Sequence, residues 1–179
     1  LRDLLRNFHL LDMFCQIYTN GTSIDLILTI SDLYEKFWEK KITKTSALTK
    51  FSSTRLESFV LGAATEMMKT GAPSLRSRPL EKQDPDAYRF LVSNGVFNDR
   101  LNRTRFFHQN FYAFCLVKNL MNEGVGLNVL VKEFKGTIEI RLIVKLALEL
   151  WRKEDPTEYH VSVEFLISDL SIPFHLKWL

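Results

Sequence analysis

The sequence predicts a mainly α-helical protein with one small β-hairpin. Apolar residues recur every three or four positions through most of the chain, which is the period of an amphipathic helix. Two short apolar runs flank the polar stretch DRLNR at 99–103 and predict the hairpin. Consecutive helical patterns with short turns in the last third are typical of HEAT-like helical repeats.

Two helices are predicted before residue 48. Residues 1–18 place apolar side chains at spacings of three and four, which predicts one buried face formed by Leu4, Leu5, Phe8, Leu11, Phe14, Cys15 and Tyr18. Asn20-Gly21 ends this helix. Ser31 is predicted to cap the second helix. Its buried face would consist of Leu33, Phe37, Trp38 and Ile42.

Residues 50–108 carry the element order of a winged-helix module: helix, turn, helix and hairpin. The first helix covers 54–70 and ends at Gly71. The stretch 71–85 reads as an exposed loop. Asp84-Pro85 then begins the next helix, as N-cap and first-turn residue.

The hairpin strands are expected near 96–98 and 103–107, after Asn94-Gly95 closes the preceding helix. A helix over 109–122 follows, with a buried side formed by Phe111, Phe114, Cys115 and Leu120. The last third is predicted to contain helices over 126–134, 137–153 and 156–169, and a further one beginning at Pro173.

Composition limits the class of protein. Hydrophobic residues make up 46% and charged residues 25%, as in globular proteins, and the net charge of +3 is too small to point to nucleic acid or an acidic membrane. No apolar run reaches the roughly 18–20 residues that span a bilayer, so we expect no membrane segment. Cys15 and Cys115 are predicted to be buried thiols in a reducing, cytoplasmic setting. The chain is expected to be part of a longer polypeptide.

Motifs of self-contained catalysis are missing from the sequence, which has no phosphate-binding GxxxxGK[ST] loop and no HExxH or GxSxG. The strongest candidate site is His108, at the predicted strand–helix joint of RTRFFHQNFYAFC, residues 103–115. It is either a structural histidine at an element boundary or a hydrogen-bond donor to a phosphate oxygen. Phe106, Phe107 and Phe111 would hold its backbone in place.

Two other functions stay open. A DNA-binding winged helix would use Arg100, Arg103 and Arg105 on the wing. The predicted recognition helix, DAYRFLVSNG, offers Arg89 as its one basic side chain, so DNA is the less favoured partner. A helical interaction scaffold would need no site at all.

The stretch RFFHQNFYAFCLVKNL resembles the end of the winged-helix domain in STAND-class signalling ATPases of the NACHT or NOD-like receptor type. Phe106, Phe107, His108 and Phe111 match the family pattern F-[FIL]-H-x-[ST]-F. The opening, LLRNFHLLDMFCQIY followed by LYEKFWEKKI, is similar to the family's helical lid. Asn7 and Phe8 are its candidate lid contacts, although the proline that usually follows the asparagine is missing.

The resemblance implies a helical lid over 1–48, a winged-helix domain over 49–122 and the start of a helical repeat region over 123–179. It implies that His108 contacts the β-phosphate of ADP and keeps the receptor closed. The nucleotide, ADP or ATP with Mg²⁺, would be held by an upstream domain of the full-length ATPase, so this part is expected to be non-catalytic. Downstream sensor repeats, homo-oligomerisation on activation and a role in immune or antiphage defence are also implied.

Overall fold

The computed structural model describes residues 8–18, 29–44, 51–134 and 140–177. Over these residues the protein is mainly helical with a small three-stranded antiparallel sheet, which confirms the predicted fold class. The chain divides into two compact units, Leu1–Phe111 and Tyr112–Leu179. The finer division at 48 and 122 stays a prediction.

Helix α1 spans Phe8–Ile17 and buries a different face from the one predicted. Its buried side chains are Leu10, Met13 and Ile17, whereas Phe8 is 78% exposed and Cys15 is also exposed. The expectation of a buried Cys15 is therefore wrong. Apolar residues surround most of this helix, so two stripes with spacings of three and four coexist, and periodicity alone cannot choose between them.

Helix α2 spans Ile30–Trp38, and its N-cap, Thr29, lies two residues before the predicted cap, Ser31. Thr29 Oγ1 accepts from the Asp32 backbone N–H at 3.1 Å, and the Asp32 carboxylate accepts from the Thr29 N–H at 2.7 Å. This reciprocal pair is a capping box built on Thr29, so the prediction of Ser31 as the cap is wrong. The predicted buried face is confirmed: Leu33, Phe37, Trp38 and Ile42. A π-helical turn, Glu39–Thr43, continues the helix.

The next elements occur in the predicted order of helix, helix and hairpin, with one strand and one short helix added. They are α3 Ser53–Thr70, β1 Leu75–Arg76, α4 Ser77–Gln83, α5 Pro85–Ser93, β2 Phe97–Arg100 and β3 Arg103–Phe106. The sheet order is β1-β3-β2, so β3 is the central strand. Gly71 ends α3 in the left-handed conformation, and Asp84 caps α5 by accepting from the Ala87 N–H at 3.1 Å, both as predicted.

The expected loop over 71–85 is wrong, because it contains β1 and α4. Leu75 pairs with Thr104 and Arg76 with Arg103 on the central strand. Leu80 is 4% exposed, so α4 contributes to the core. These elements are too short for a period to be legible, and pairing with a strand nearly thirty residues later stabilises β1.

The hairpin closes through a two-residue turn, Leu101-Asn102. Both residues have positive φ, 53° for Leu101 and 59° for Asn102. Two successive left-handed residues form the turn that matches the twist of paired strands. Asparagine adopts this conformation readily, whereas leucine does so at a steric cost.

Helix α6 spans Gln109–Asn122, and the boundary between the two units falls within it. Its predicted buried side is confirmed: Phe111, Phe114, Cys115 and Leu120. Burial raises the pKa of the Cys115 thiol, an effect that the nearby Lys118 charge partly opposes.

The second unit continues with α7 Leu127–Glu133, α8 Ile140–Glu154, α9 Pro156–Ser168 and a 3₁₀ turn at Phe174–Leu176. As predicted, Asp155-Pro156 begins a helix: the Asp155 carboxylate accepts from the Glu158 N–H at 3.0 Å. Helix α8 packs against both α7 and α9. Whether these helices belong to a HEAT-like array stays a prediction.

Candidate nucleotide-sensing site

His108 lies between β3 and α6, at the junction where the sequence placed it. Its Nδ1 atom accepts a hydrogen bond from the backbone N–H of Asn110 at 3.2 Å. The imidazole therefore satisfies one of the unpaired N–H groups of the first turn of α6 and acts as a helix cap. The side chain is half-buried.

This contact defines the chemistry of the ring. When Nδ1 accepts a hydrogen bond, a neutral imidazole carries its proton on Nε2, and Nε2 becomes a donor. The ring also stands at the N-terminal end of a 14-residue helix, where the macrodipole favours negative charge. The two effects together suit a phosphate or carboxylate oxygen better than a cation.

The three predicted supporting phenylalanines come together around the junction. Phe106 and Phe111 are buried and Phe107 is half-buried. The ring centroids of Phe107 and Phe111 are 5.4 Å apart, and those of Phe106 and Phe111 are 6.3 Å apart. The ring of Phe107 lies 6.2 Å from that of His108. Packed aromatic rings on both sides limit how far this segment of backbone can move.

Phe37 on α2 belongs to the same aromatic cluster, which the sequence did not reveal. Its ring stacks on Phe107 at 4.8 Å and meets the edge of Phe111 at 5.0 Å. Tyr34, one turn earlier on α2, is 6.1 Å from Phe111. The helical spacing of apolar residues predicts that Phe37 is buried, but no local pattern in the sequence predicts which residues it contacts. Through this aromatic cluster, α2 packs against the segment that carries His108.

Two adjacent lysines in the π-helical turn contact the ends of two helices. Lys40 Nζ donates to the Ile17 carbonyl of α1 at 2.7 Å, and Lys41 Nζ donates to the Asn94 carbonyl after α5 at 3.0 Å. The C-terminal end of a helix attracts cations. Partial burial lowers the pKa of Lys41, and Lys40 lowers it further. These bonds connect α1 and α5 through one turn.

A polar network, called here the wing network, joins Ser77, Tyr88, Asp99 and Thr104 next to the β-hairpin, and the sequence did not predict it. The two carboxylate oxygens of Asp99 accept from Ser77 Oγ at 2.6 Å and from Tyr88 OH at 2.8 Å. The Thr104 hydroxyl lies 2.7 Å from Tyr88 OH and donates to Ser77 Oγ at 2.9 Å. Ser77, Tyr88 and Thr104 are buried. Their bonds hold α4, α5 and both hairpin strands in one arrangement.

Of the two candidate lid contacts, the structure describes Phe8 and not Asn7. Asn7 lies outside the described residues. Phe8 begins α1 with a largely exposed side chain. A role for either residue toward a nucleotide stays a prediction, as does the role of His108.

Within the described ranges, no three His, Cys, Asp or Glu side chains come together in a way that could hold a metal ion. In the same ranges no helix is both long and apolar enough to cross a membrane. No protein-family model, curated protein or solved structure matches the chain.

Proposed function

We propose that this chain is the regulatory part of a STAND-class signalling ATPase, in which His108 senses the phosphate of a nucleotide bound by an upstream domain. The observation that carries the proposal is the cap made by His108, whose Nδ1 accepts from the Asn110 N–H. This bond leaves Nε2 as the donor atom at a helix N-terminus. A β-phosphate oxygen of ADP suits that donor.

The aromatic cluster gives the proposed sensor a way to act on its neighbours. The stack of Phe37 on Phe107 joins the residue before His108 to α2. In the proposed mechanism the ADP phosphate holds His108, and with it the winged helix and α2, in the closed state. Exchange for ATP with Mg²⁺ removes this contact and releases the module, so that downstream sensor repeats and homo-oligomerisation become coupled to nucleotide state.

The chain would then work in the cytoplasm and would have no catalysis of its own. Immune or antiphage defence is the setting that the family resemblance favours. The phosphate-binding loop would belong to the preceding part of the full-length protein.

The test uses full-length protein purified with its nucleotide. We expect His108→Ala to lose bound ADP faster than wild type and to raise resting activity, because the phosphate donor is gone. His108→Asn separates the two roles of the side chain: asparagine is a good helix cap, so stability is retained while ADP retention falls. His160→Ala, which changes an exposed histidine on α9, is the matched control. Wild-type ADP occupancy in both His108 variants would rule out the proposal.

DNA binding is the second candidate, and specific contacts count against it. Arg89, the basic residue of the predicted recognition helix, is paired with Glu81 at 3.1 Å. On the wing, Arg103 donates to Ser74 through Nε and Nη2. Arg100 and Arg105 are exposed. DNA binding would appear as duplex affinity that falls steeply with salt. We expect no such affinity.

A further inference from the structure

The geometry points to a second ligand site, and we infer that a cleft between α8, α9 and the 3₁₀ turn binds a small organic anion with an apolar body. The cleft has a volume of about 300 Å³, near the lower end of the range for small-molecule sites. All of its lining residues belong to the unit Tyr112–Leu179. The inference does not depend on the proposed nucleotide-sensing role of His108.

Apolar side chains from three elements line the cleft. Leu148 comes from α8, Val163 and Leu166 from α9, and Leu176 from the 3₁₀ turn. Leu166 and Leu176 are buried, so they form a fixed surface that does not have to reorganise to receive a ligand. Leu148 and Val163 are only half-buried, and an aliphatic chain that enters here would remove their remaining apolar surface from water together with its own.

The charged side chains of the cleft are mostly cationic. Lys145, Glu149 and Arg152 follow one another at spacings of four and three along α8, so all three lie on the face that lines the cleft. Lys177 lies across from them beyond the 3₁₀ turn, where its Nζ donates to the Ile167 carbonyl at 3.2 Å. Three cations therefore face one carboxylate among the described lining residues, and the excess charge is positive.

The carboxylate of Glu149 offsets one of the three positive charges and leaves the other two. Its Oε1 lies 3.9 Å from Lys145 Nζ, which is beyond hydrogen-bond distance. Its Oε2 is buried without a hydrogen-bond partner in the described part of the chain. Arg152 is exposed and makes no ion pair there. The guanidinium fork is thus available for a carboxylate, which it binds through two parallel hydrogen bonds.

The combination of apolar walls, excess positive charge and an available arginine selects the ligand class. A cation would be repelled by Lys145, Arg152 and Lys177, and an inorganic anion would gain nothing from the apolar walls. A medium-chain carboxylate satisfies both parts of the cleft. Octanoate is a suitable probe because it combines a single carboxylate with a short aliphatic chain.

The test is a calorimetric titration of the 179-residue chain with octanoate, with octanol and octylammonium as neutral and cationic counterparts. We expect octanoate to bind more tightly than either. Arg152→Gln should raise the Kd for octanoate about tenfold, the loss of one charge-assisted contact. Arg141→Gln is the matched control, because Arg141 is exposed on the same helix and does not line the cleft.

Glu149→Gln tests the sign of the charge. It removes the one acidic side chain of the described lining, so octanoate should bind about threefold more tightly by relief of repulsion. Octylammonium binding as tightly as octanoate, weaker octanoate binding in Glu149→Gln, or equal losses in Arg152→Gln and Arg141→Gln would overturn the inference. Absence of any heat of binding at two well-separated temperatures would do the same, because apolar burial changes the heat capacity even where its enthalpy is near zero. If Arg152→Gln does not melt cooperatively, Lys145→Gln replaces it with the same expected direction.

Discussion

The ring of Phe37 on α2 stacks on the ring of Phe107, with centroids 4.8 Å apart and planes inclined by 28°. Phe107 directly precedes His108, and Phe37 lies in a different helix some seventy residues earlier. The pair is therefore a direct side-chain connection between α2 and the junction of β3 with α6. Loss of this contact should lower the stability of the unit Leu1–Phe111 and increase the mobility of the segment that positions His108.

Phe37→Ala is expected to lower the free energy of unfolding by about 3–5 kcal/mol, because Phe37 is fully buried and its removal leaves a cavity. Denaturant titration followed by far-UV circular dichroism measures this change. Phe174→Ala is the control: its ring is 72% exposed, and we expect a much smaller loss. A double-mutant cycle of Phe37 with Phe107 should give a coupling of about 0.5–1.5 kcal/mol. A coupling near zero would show that the stack itself contributes nothing.

The Asp84 carboxylate combines two roles, and its variants separate them. It accepts from Arg55 Nε at 2.6 Å and Nη2 at 2.7 Å while it caps α5. Asp84→Ala should cost about 1 kcal/mol for the cap alone. Asp84→Asn keeps a good cap and loses only the ion pair, so its loss should be smaller. Thermal unfolding of the two variants at neutral pH measures the difference.

The same carboxylate predicts a pH dependence of stability. The hydrogen bond from Arg55 is the largest cause that lowers the pKa of Asp84 below its ordinary value of 3.8. A carboxylate with a lowered pKa in the folded state stabilises the protein above its unfolded pKa, and this contribution is lost as the pH falls through the folded pKa. Stability should therefore fall below about pH 4 by less in Asp84→Asn than in wild type. Identical acid limbs for wild type and Asp84→Asn would contradict the assignment.

Tyr88 holds the wing network together through its hydroxyl. Tyr88→Phe removes one of the two hydroxyl partners of the buried Thr104, which keeps its bond to Ser77, and one donor to Asp99. We therefore expect a loss of about 0.5–1.5 kcal/mol in the free energy of unfolding. Tyr159→Phe is the control, because Tyr159 has no such network. Equal stability of Tyr88→Phe and wild type would mean that the network is energetically neutral.

The alkaline limb gives a second measurement on the same residue. Burial is the largest cause that raises the pKa of Tyr88 above its ordinary value of 10.0, with Asp99 acting in the same direction. A raised folded pKa means that the contribution is fully present below pH 10 and is lost as the pH rises through the folded value. Tyr88→Phe should therefore show a flatter loss of stability above pH 10 than wild type. If the stability of Tyr88→Phe falls above pH 10 as steeply as that of wild type, a residue other than Tyr88 causes the loss.

The contacts just described mark where sequence reasoning stops. Capping and stop signals are local, and this is why Gly71, Asp84-Pro85 and the 109–122 helix could be read directly from residue types. The position of His108 at an element boundary was readable for the same reason. The stack of Phe37 on Phe107 joins residues far apart in the chain, and no period or motif predicts such a pairing. The same holds for β1, whose two residues form a strand only because β3 lies beside them.

Leu101 supplies the last prediction, because it combines the steric cost of a left-handed backbone with a side chain that is 98% exposed. Leu101→Asn removes that cost, since asparagine tolerates positive φ, and should stabilise the protein by roughly 0.5–1 kcal/mol. Leu170→Asn is the matched control: Leu170 is 94% exposed and does not have positive φ. Thermal unfolding of both variants measures the effect.

A gain in stability at both positions would be due to reduced surface hydrophobicity, whereas a gain only at Leu101 would be due to the turn. If Leu101→Asn also leaves ADP retention in the full-length protein unchanged, the hairpin turn at Leu101-Asn102 takes no part in the proposed contact of His108 with the nucleotide.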